Sequence, residues 1–458
     1  MSLTSIIIKN PLLVATMNSS SEELSGVDIL IEGDKITSVS KGLDAEHAER
    51  VIDATGMVVL PGFINTHHHF YQTLTRNIPT VQDTPLFHWL LESYEVWRQL
   101  TLEGVELSTR TAILEMMKSG VSTSSDHLYL FPEQSEKELI DAEIQVAQQI
   151  GFRFHATRGS MSLGRSLGGL PPDDVVQSEA EIEQDTERLF REFHDESEGS
   201  MSRLALAPCS PFSVTPELMR RTLNFAKNHG LQIHTHLAET RDEEEFCLKR
   251  FGMRPVQYMD SLNWLGPSSW FAHCVHLNQE EILRMGETAS GVCHCPSSNM
   301  RLGSGIAPIR EMLKCGVRVG LGVDGSASND SSNMLLEIRN SMLLSRLRDK
   351  ENWLSARDVL RLATRGGASV LGRDDIGQIT PGKQADLALF SINGVEYAGA
   401  QADPLAALVF CVRMQPVDYL IIKGIPRIDQ GRPEFDENSH VSCHNQYSLE
   451  MQDKALKN

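Results

Sequence analysis

The sequence predicts an α/β protein, a (β/α)8 TIM-type barrel with a small β-sandwich formed by the N- and C-terminal segments. Three observations predict it. From Met57 onward, eight apolar, β-branched runs alternate with stretches of helical period, the pattern of a parallel sheet whose crossovers are helices. The intervening helical segments have suitable length, and closing the sheet removes the edge strands that an open one would leave. Strand-turn-strand patterns flank this region at both ends of the chain. At 458 residues the chain is long for one ordinary core but suits a barrel with a satellite.

The satellite comes first in order. Ser5 to Lys9, Leu12 to Thr16, Asp28 to Glu32 and Lys35 to Val39 read as short strands, the last two joined by Gly33-Asp34, a hairpin signal. Ala385 to Phe390 and Tyr419 to Lys423, with Gly424 at the turn, repeat the pattern near the other end. Neither end carries enough apolar surface for a core of its own. Residues 1–56 and 377–458 are therefore expected to pair into one composite β-sandwich, leaving 57–376 as the barrel.

The first barrel strand follows the run Met57 to Leu60 and passes out through Pro61-Gly62-Phe63-Ile64-Asn65-Thr66-His67-His68-His69. Thr101 and Gly120 bracket a helix containing Ala112, Leu114, Met116 and Met117, and Val121 to Asp126 gives a second strand. Gly151 to Thr157 is the third. The Gly/Ser-rich segment Arg158 to Gly164 after it is a loop of the kind in which barrel enzymes place substrate contacts. Leu204 to Pro208 is the fourth strand; the next helix has Thr215 as N-cap, Pro216 at its first position and Gly230 past its end. Leu231 to His236 and Trp270 to Val275 are the fifth and sixth. Asn278 with Glu281 three residues on is a capping box, and Gly291 to Cys295 and Val317 to Asp324 complete the set. The acidic run Asp242 to Glu245 reads as a solvated helix start.

Composition excludes several function classes. A formal net charge of −19 argues against nucleic acid, which needs a clustered basic surface. No stretch approaches the roughly 20 apolar residues of a membrane span. A small-molecule substrate is the expected partner, and a homo-oligomer the expected assembly. Met1-Ser2-Leu3-Thr4 lacks the basic and apolar regions of a secretory signal, so a cytoplasmic location is expected. The eight scattered Cys read as buried thiols; Cys293-His294-Cys295 fits a buried strand better than a metal site, having no second ligand pair.

In a barrel all strand C-terminal ends meet at one mouth, so residues far apart in sequence converge there. Side-chain alternation puts His67 and His69 on one face and His68 on the other; two imidazoles about 6 to 7 Å apart along a strand can close on one ion. The fifth strand adds His236 and the eighth Asp324. Three imidazoles and a carboxylate suit one divalent first-row ion, zinc or iron, with room for a water. Glu239, three residues after His236, and His273 on the sixth strand lie where protons must move.

These residues resemble the amidohydrolase superfamily, in its deaminase and triazine-hydrolase branch. The marks are Pro61 to His69, His236-Leu237-Ala238-Glu239-Thr240, Ala272-His273-Cys274-Val275-His276-Leu277, His294-Cys295-Pro296-Ser297-Ser298-Asn299, Leu321-Gly322-Val323-Asp324-Gly325 and Gly377 to Leu387. The resemblance implies hydrolysis at a metal held by His67, His69, His236 and Asp324, with Glu239, His273 and Asp324 catalytic and His276 the weaker strand-six choice. The fourth strand lacks the lysine that bridges two metals in such sites, which implies a mononuclear centre.

The segments His69 to Arg76, Ser125 to Pro132 and Arg158 to Gly164 look like those of bacterial 8-oxoguanine deaminases, implying hydrolysis of an oxidised purine base with Gln72 and Arg158 as contacts to it. Pterin deaminases and triazine hydrolases share the chemistry. Adenosine-derivative deaminases are similar too, but place an acid where this chain has His88, which disfavours a nucleoside. A noncatalytic scaffold is the reading from another class; the four intact ligand positions weigh against it.

Overall fold

The apolar runs close on themselves. In the computed structural model, which describes residues 5–46, 48–412 and 414–457, eight parallel strands form a barrel: β1 (Phe63–Asn65), β2 (Val121–Ser125), β3 (Arg153–Ser160), β4 (Ser202–Pro208), β5 (Gln232–Leu237), β6 (Ser269–His273), β7 (Gly291–His294) and β8 (Arg318–Leu321). Each pairs with the next, and Leu321 opposite Asn65 joins β8 to β1. The opening Met1-Ser2-Leu3-Thr4, read above for a leader, lies outside the described residues.

Local signals fix the helices between them. Thr215 Oγ1 accepts the Leu218 N–H at 3.1 Å, Pro216 starts the helix, and Gly230 ends it in the left-handed region at φ 68°. Asn278 and Glu281 cap each other's backbone N–H reciprocally. Helices Leu102–Lys118, Leu139–Ile150 and Glu179–Phe193 then bury their apolar faces on the outside of the barrel.

The chain ends build two further sheets. One is N-terminal: Lys35–Ser40, Asp28–Glu32, Ser5–Lys9 and Arg50–Asp53. The other mixes both ends, with 13–15, 23–24 and 57–61 beside 387–391, 419–422, 425–429 and 432–433. A core of Ile6, Ile29, Ile31, Val59, Leu387 and Ile421, among others, lies between the two sheets.

Two boundaries differ from the sequence reading. Met57–Pro61 pairs antiparallel with Leu387–Ser391 and so belongs to the mixed sheet; the barrel begins only after Gly62. An added Cβ at Gly62 would meet Ser122 Oγ at 2.4 Å, so glycine lets the chain cross from one sheet to the other. At the other end, Glu437–Lys457 is a helix lying on the barrel, its His440 2.8 Å from Thr111 Oγ1 and its His444 3.1 Å from Thr73 Oγ1. Its polar sequence hides this, because its buried face is made of histidines and one methionine.

Below the barrel, Arg153 ties the two bodies together. Its guanidinium donates to both oxygens of Asp386, at 2.9 and 3.1 Å, and to the Gly199 and Ser200 carbonyls, with both side chains at most 1% exposed. Asp386 also accepts the Lys423 N–H at 2.7 Å. Arg153→Ala should cost about 3 to 5 kcal/mol by stranding that carboxylate, read as a lowered midpoint in urea unfolding.

Candidate metal centre and active site

The three histidines have their tautomers set by what lies behind them. His234 donates from Nδ1 to the Trp270 carbonyl at 2.9 Å, which leaves its Nε2 to accept from Nδ1 of His67 at 2.8 Å. His69 donates from Nδ1 to the His127 carbonyl at 2.7 Å, and His236 from Nδ1 to the Cys209 carbonyl at 2.6 Å. Each Nε2 is thereby left as a bare lone pair facing the cavity. Burial, reinforced by the neighbouring imidazoles, keeps these rings neutral: His67 is held well below its ordinary pKa, His69 is lowered, and His236 is pushed down to about 3.

Those lone pairs converge. The Nε2 atoms of His69 and His236 are 3.1 Å apart, and Oδ1 of Asp324 is 3.3 Å from Nε2 of both His67 and His69. Ligands at about 2.0 to 2.1 Å from one tetrahedral ion are themselves about 3.3 Å apart. The His67 Nε2 is buried without a hydrogen-bond partner, and facing lone pairs at this distance repel unless a cation lies between them. The donor set therefore fits a divalent ion of the zinc or iron type, and among the described residues no lysine lines the cavity to bridge a second. Asp324 is held as a carboxylate, well below its usual range: burial opposes this, but the imidazoles of His67, His273 and His69 outweigh it.

Two more groups close the site. His273 Nδ1 donates to Oδ1 of Asn299 at 2.9 Å, so its Nε2 faces Glu239 Oε2 at 3.5 Å and Asp324 Oδ2 at 3.8 Å. Burial lowers the His273 pKa, yet the carboxylates of Glu239 and Asp324 raise it above its ordinary value overall. Burial pushes Glu239 up to about 7, a carboxyl poised to hold or release a proton near neutrality. Backbone strain aims these side chains. Ala238, His273, Cys274 and Asp324 all have φ between 50° and 72°, a left-handed kink at the ends of three strands. Glu243 secures the first kink by accepting the N–H groups of Ala238 and Glu239 at 2.8 and 2.9 Å. It is thus buried, unlike the solvated helix start expected of Asp242 to Glu245.

Above these side chains is a narrow cavity of about 40 Å³ that opens toward the barrel mouth. Its walls are apolar: Leu86, Trp89 and Leu90 from helix Leu86–Trp97 on one side, Phe212 and Leu302 on the other. Gln72 lies in this wall with its Oε1 buried and unpartnered, and so does the indole N–H of Trp89. Both belong to residues that line the cavity.

Not every residue read from the sequence lies there. His67, His69, His236, Asp324, Glu239, His273 and Gln72 come together, whereas Arg158 does not. β3 runs on to Ser160, so Arg158 sits inside the strand on its outward face. It pairs with Asp185 of the neighbouring helix at 2.7 Å and stacks on Phe131 at 4.3 Å. His88 is likewise exposed on helix Leu86–Trp97, between inward-facing Leu86 and Trp89, so it carries no information about the pocket. His276 binds the Ser304 carbonyl at 2.9 Å, outside the cavity.

Sequence reasoning missed His127, His234 and Asn299. His234 stands two residues before His236, hence on the same strand face one layer deeper, and period two would have found it. His127 groups with His67, His69 and His236, with ligand atoms all within 4.8 Å of one another. Five of the eight cysteines are buried as expected, Cys315 and Cys411 are half-buried and Cys443 is exposed; all eight are free.

A closed parallel barrel with neutral imidazoles, an ionised carboxylate and a proton-carrying carboxyl at one mouth defines a metal-dependent hydrolase. The family model described as amidohydrolase family matches residues 58–425. The chain belongs to that family. It is 49% identical to an 8-oxoguanine deaminase of Pseudomonas aeruginosa, over 93% of this chain and 94% of the other. It is 34% identical to an isoxanthopterin deaminase of an unknown prokaryotic organism, over 82% and 81% of the two chains. Among solved structures it resembles an atrazine chlorohydrolase of Arthrobacter aurescens complexed with zinc, with a TM-score of 0.92 and 33% identity, covering 97% of this chain and 100% of that one. No helix among the described residues is long and apolar enough to cross a membrane.

Proposed function

We propose that the protein removes the amino group of an oxidised purine base by hydrolysis, converting 8-oxoguanine and water to urate and ammonia. The observation that carries the substrate is the 49% identity to the 8-oxoguanine deaminase, against 34% to the isoxanthopterin deaminase. The apolar walls, with one unpartnered acceptor and one unpartnered donor, are compatible with a flat heterocycle.

His67, His69, His236 and Asp324 would hold a single divalent cation, zinc being favoured by the zinc-bound structural relative. Bound there, it supplies the Lewis acidity that brings the pKa of a water toward about 7. Asp324 and His273, whose facing atoms are 3.8 Å apart, are placed to orient the attacking water and to take its proton. Glu239 gives its proton to the ring nitrogen beside the attacked carbon, regains the one taken from the water through His273, 3.5 Å away, and delivers it to the leaving amine; the hydroxyl proton of the collapsing adduct returns Glu239 to the acid. One C–O bond forms, one C–N bond breaks, and ammonia leaves. Gln72 meets the polar edge of the base from the cavity wall. Its buried oxygen rejects analogues that leave it unpaired.

Purified protein should be assayed for ammonia against 8-oxoguanine, guanine, isoxanthopterin, cytosine and S-adenosylhomocysteine. The highest kcat/KM is expected for 8-oxoguanine. A higher value for isoxanthopterin, or no turnover of 8-oxoguanine, would overturn the substrate reading.

A further inference from the structure

Behind the His69 ligand, two carboxyl groups are buried together without a basic partner. Asp126 follows β2 and Glu143 lies on the inward face of helix Leu139–Ile150; they are 1% and 0% exposed. Asp126 Oδ1 accepts the Phe70 N–H at 2.6 Å. Among the described residues, Oδ2 of Asp126 and both oxygens of Glu143 are buried without a donor at hydrogen-bond geometry, and the two side chains are in contact with each other. Two ionised carboxylates with nothing but each other would be strongly destabilising in so dry a place. One of them must carry a proton and donate it.

The position of this pair gives it a task. The loop after β2 grips the ligand segment residue by residue. The His127 N–H donates to the His68 carbonyl at 2.8 Å, His69 Nδ1 donates to the His127 carbonyl at 2.7 Å, and the Phe70 N–H donates to Asp126. The first bond is purely backbone and the second ends on a backbone carbonyl. The third depends on where a side chain points, and among the described residues Glu143 is the side chain that meets it.

We propose that Glu143 is kept as the neutral acid, donates its proton to Oδ2 of Asp126, and with it forms a pair of positioning residues that lock the backbone after His69 and so the direction of the His69 lone pair. Burial pushes both groups up, Glu143, with Asp126 beside it, well above the carboxylate range. Glu143 touches neither ion nor substrate and acts through Asp126, Phe70 and His69 in turn. The assignment rests on the reading of His69 as a metal ligand.

Two substitutions separate this from a merely structural acid. Glu143→Gln keeps an N–H to give to Asp126, whereas Glu143→Leu leaves Asp126 with no donor. Cobalt(II) would replace the native ion in the parent and in both variants, with visible spectra recorded and the cobalt affinity titrated. Glu143→Gln should keep the parent spectrum and its affinity within a few-fold. Glu143→Leu should shift the ligand-field bands and weaken affinity by about 10- to 100-fold, the usual cost of losing a group that orients a ligand.

An unchanged spectrum and affinity in Glu143→Leu, or equal damage in both variants, would overturn the proposal. The infrared difference spectrum of the parent against Glu143→Gln gives a measure that survives if the leucine variant does not fold. A protonated carboxyl stretch present in the parent and lost in Glu143→Gln is expected, and its absence overturns the assignment. If His69→Ala binds cobalt as the parent does, the fault lies in the ligand reading and not in the acid pair.

Discussion

Glu239→Gln should lower kcat by about 10³- to 10⁴-fold while leaving the bound metal and the folding midpoint almost unchanged. The glutamine keeps the shape of the side chain and can still meet Ser304 Oγ, which lies 3.4 Å from the carboxyl oxygen. It cannot pass a proton from ring nitrogen to leaving amine. Acid–base catalysis of this kind is worth about 10²- to 10⁴-fold, and here one group serves two transfers, which places the loss near the upper end. Substrate should still bind, so KM is expected to move far less than kcat. A variant with half the parent rate would mean that another group, His273 being the nearest, carries both protons.

His236→Ala should abolish turnover and reduce bound metal below one tenth of an equivalent after purification without chelator. The reason is geometric. Its Nε2, 3.1 Å from that of His69, is aimed by the Cys209 carbonyl, and alanine supplies no donor in its place. Because an ion that binds only the folded chain stabilises it by mass action, about 2.7 kcal/mol at a hundredfold excess over Kd, the variant should also unfold at lower temperature. The same shift should appear when the parent is stripped by a chelator, and added zinc should restore the parent alone. Metal content and a thermal scan read both effects. Full metal occupancy in His236→Ala would remove this residue from the ligand set and make His127, whose ring stacks on it at 4.9 Å, the nearest replacement.

The residues that gather at the mouth were legible because a barrel needs no knowledge of its register to bring strand ends together. His67, His69, His236, His273 and Asp324 each fall at or just past the end of an apolar run, and closure does the rest. Arg158 was misplaced for the opposite reason. Whether β3 stops at Thr157 or continues to Ser160 depends on its pairing with β4 as far as Ser160 opposite Pro208, a tertiary fact invisible in the local pattern. Met57–Pro61 shows the same limit, since an apolar run does not say which of two sheets it joins. His88 bears on the substrate only if it faces the cavity, and the rotation of helix Leu86–Trp97, which leaves it exposed, decides that. His127 and the acid pair Asp126 and Glu143 were missed because their neighbours come from separate elements, so no spacing along the chain points to them.

The central claim is that one cation sits among residues drawn from three strand ends. An anomalous-difference map at the zinc absorption edge, from crystals grown with zinc and no chelator, tests it most directly. A single strong peak is expected about 2.0 to 2.2 Å from the Nε2 atoms of His67, His69 and His236 and from an Asp324 oxygen. Two peaks in the barrel mouth, or one bound away from these four side chains, would contradict it.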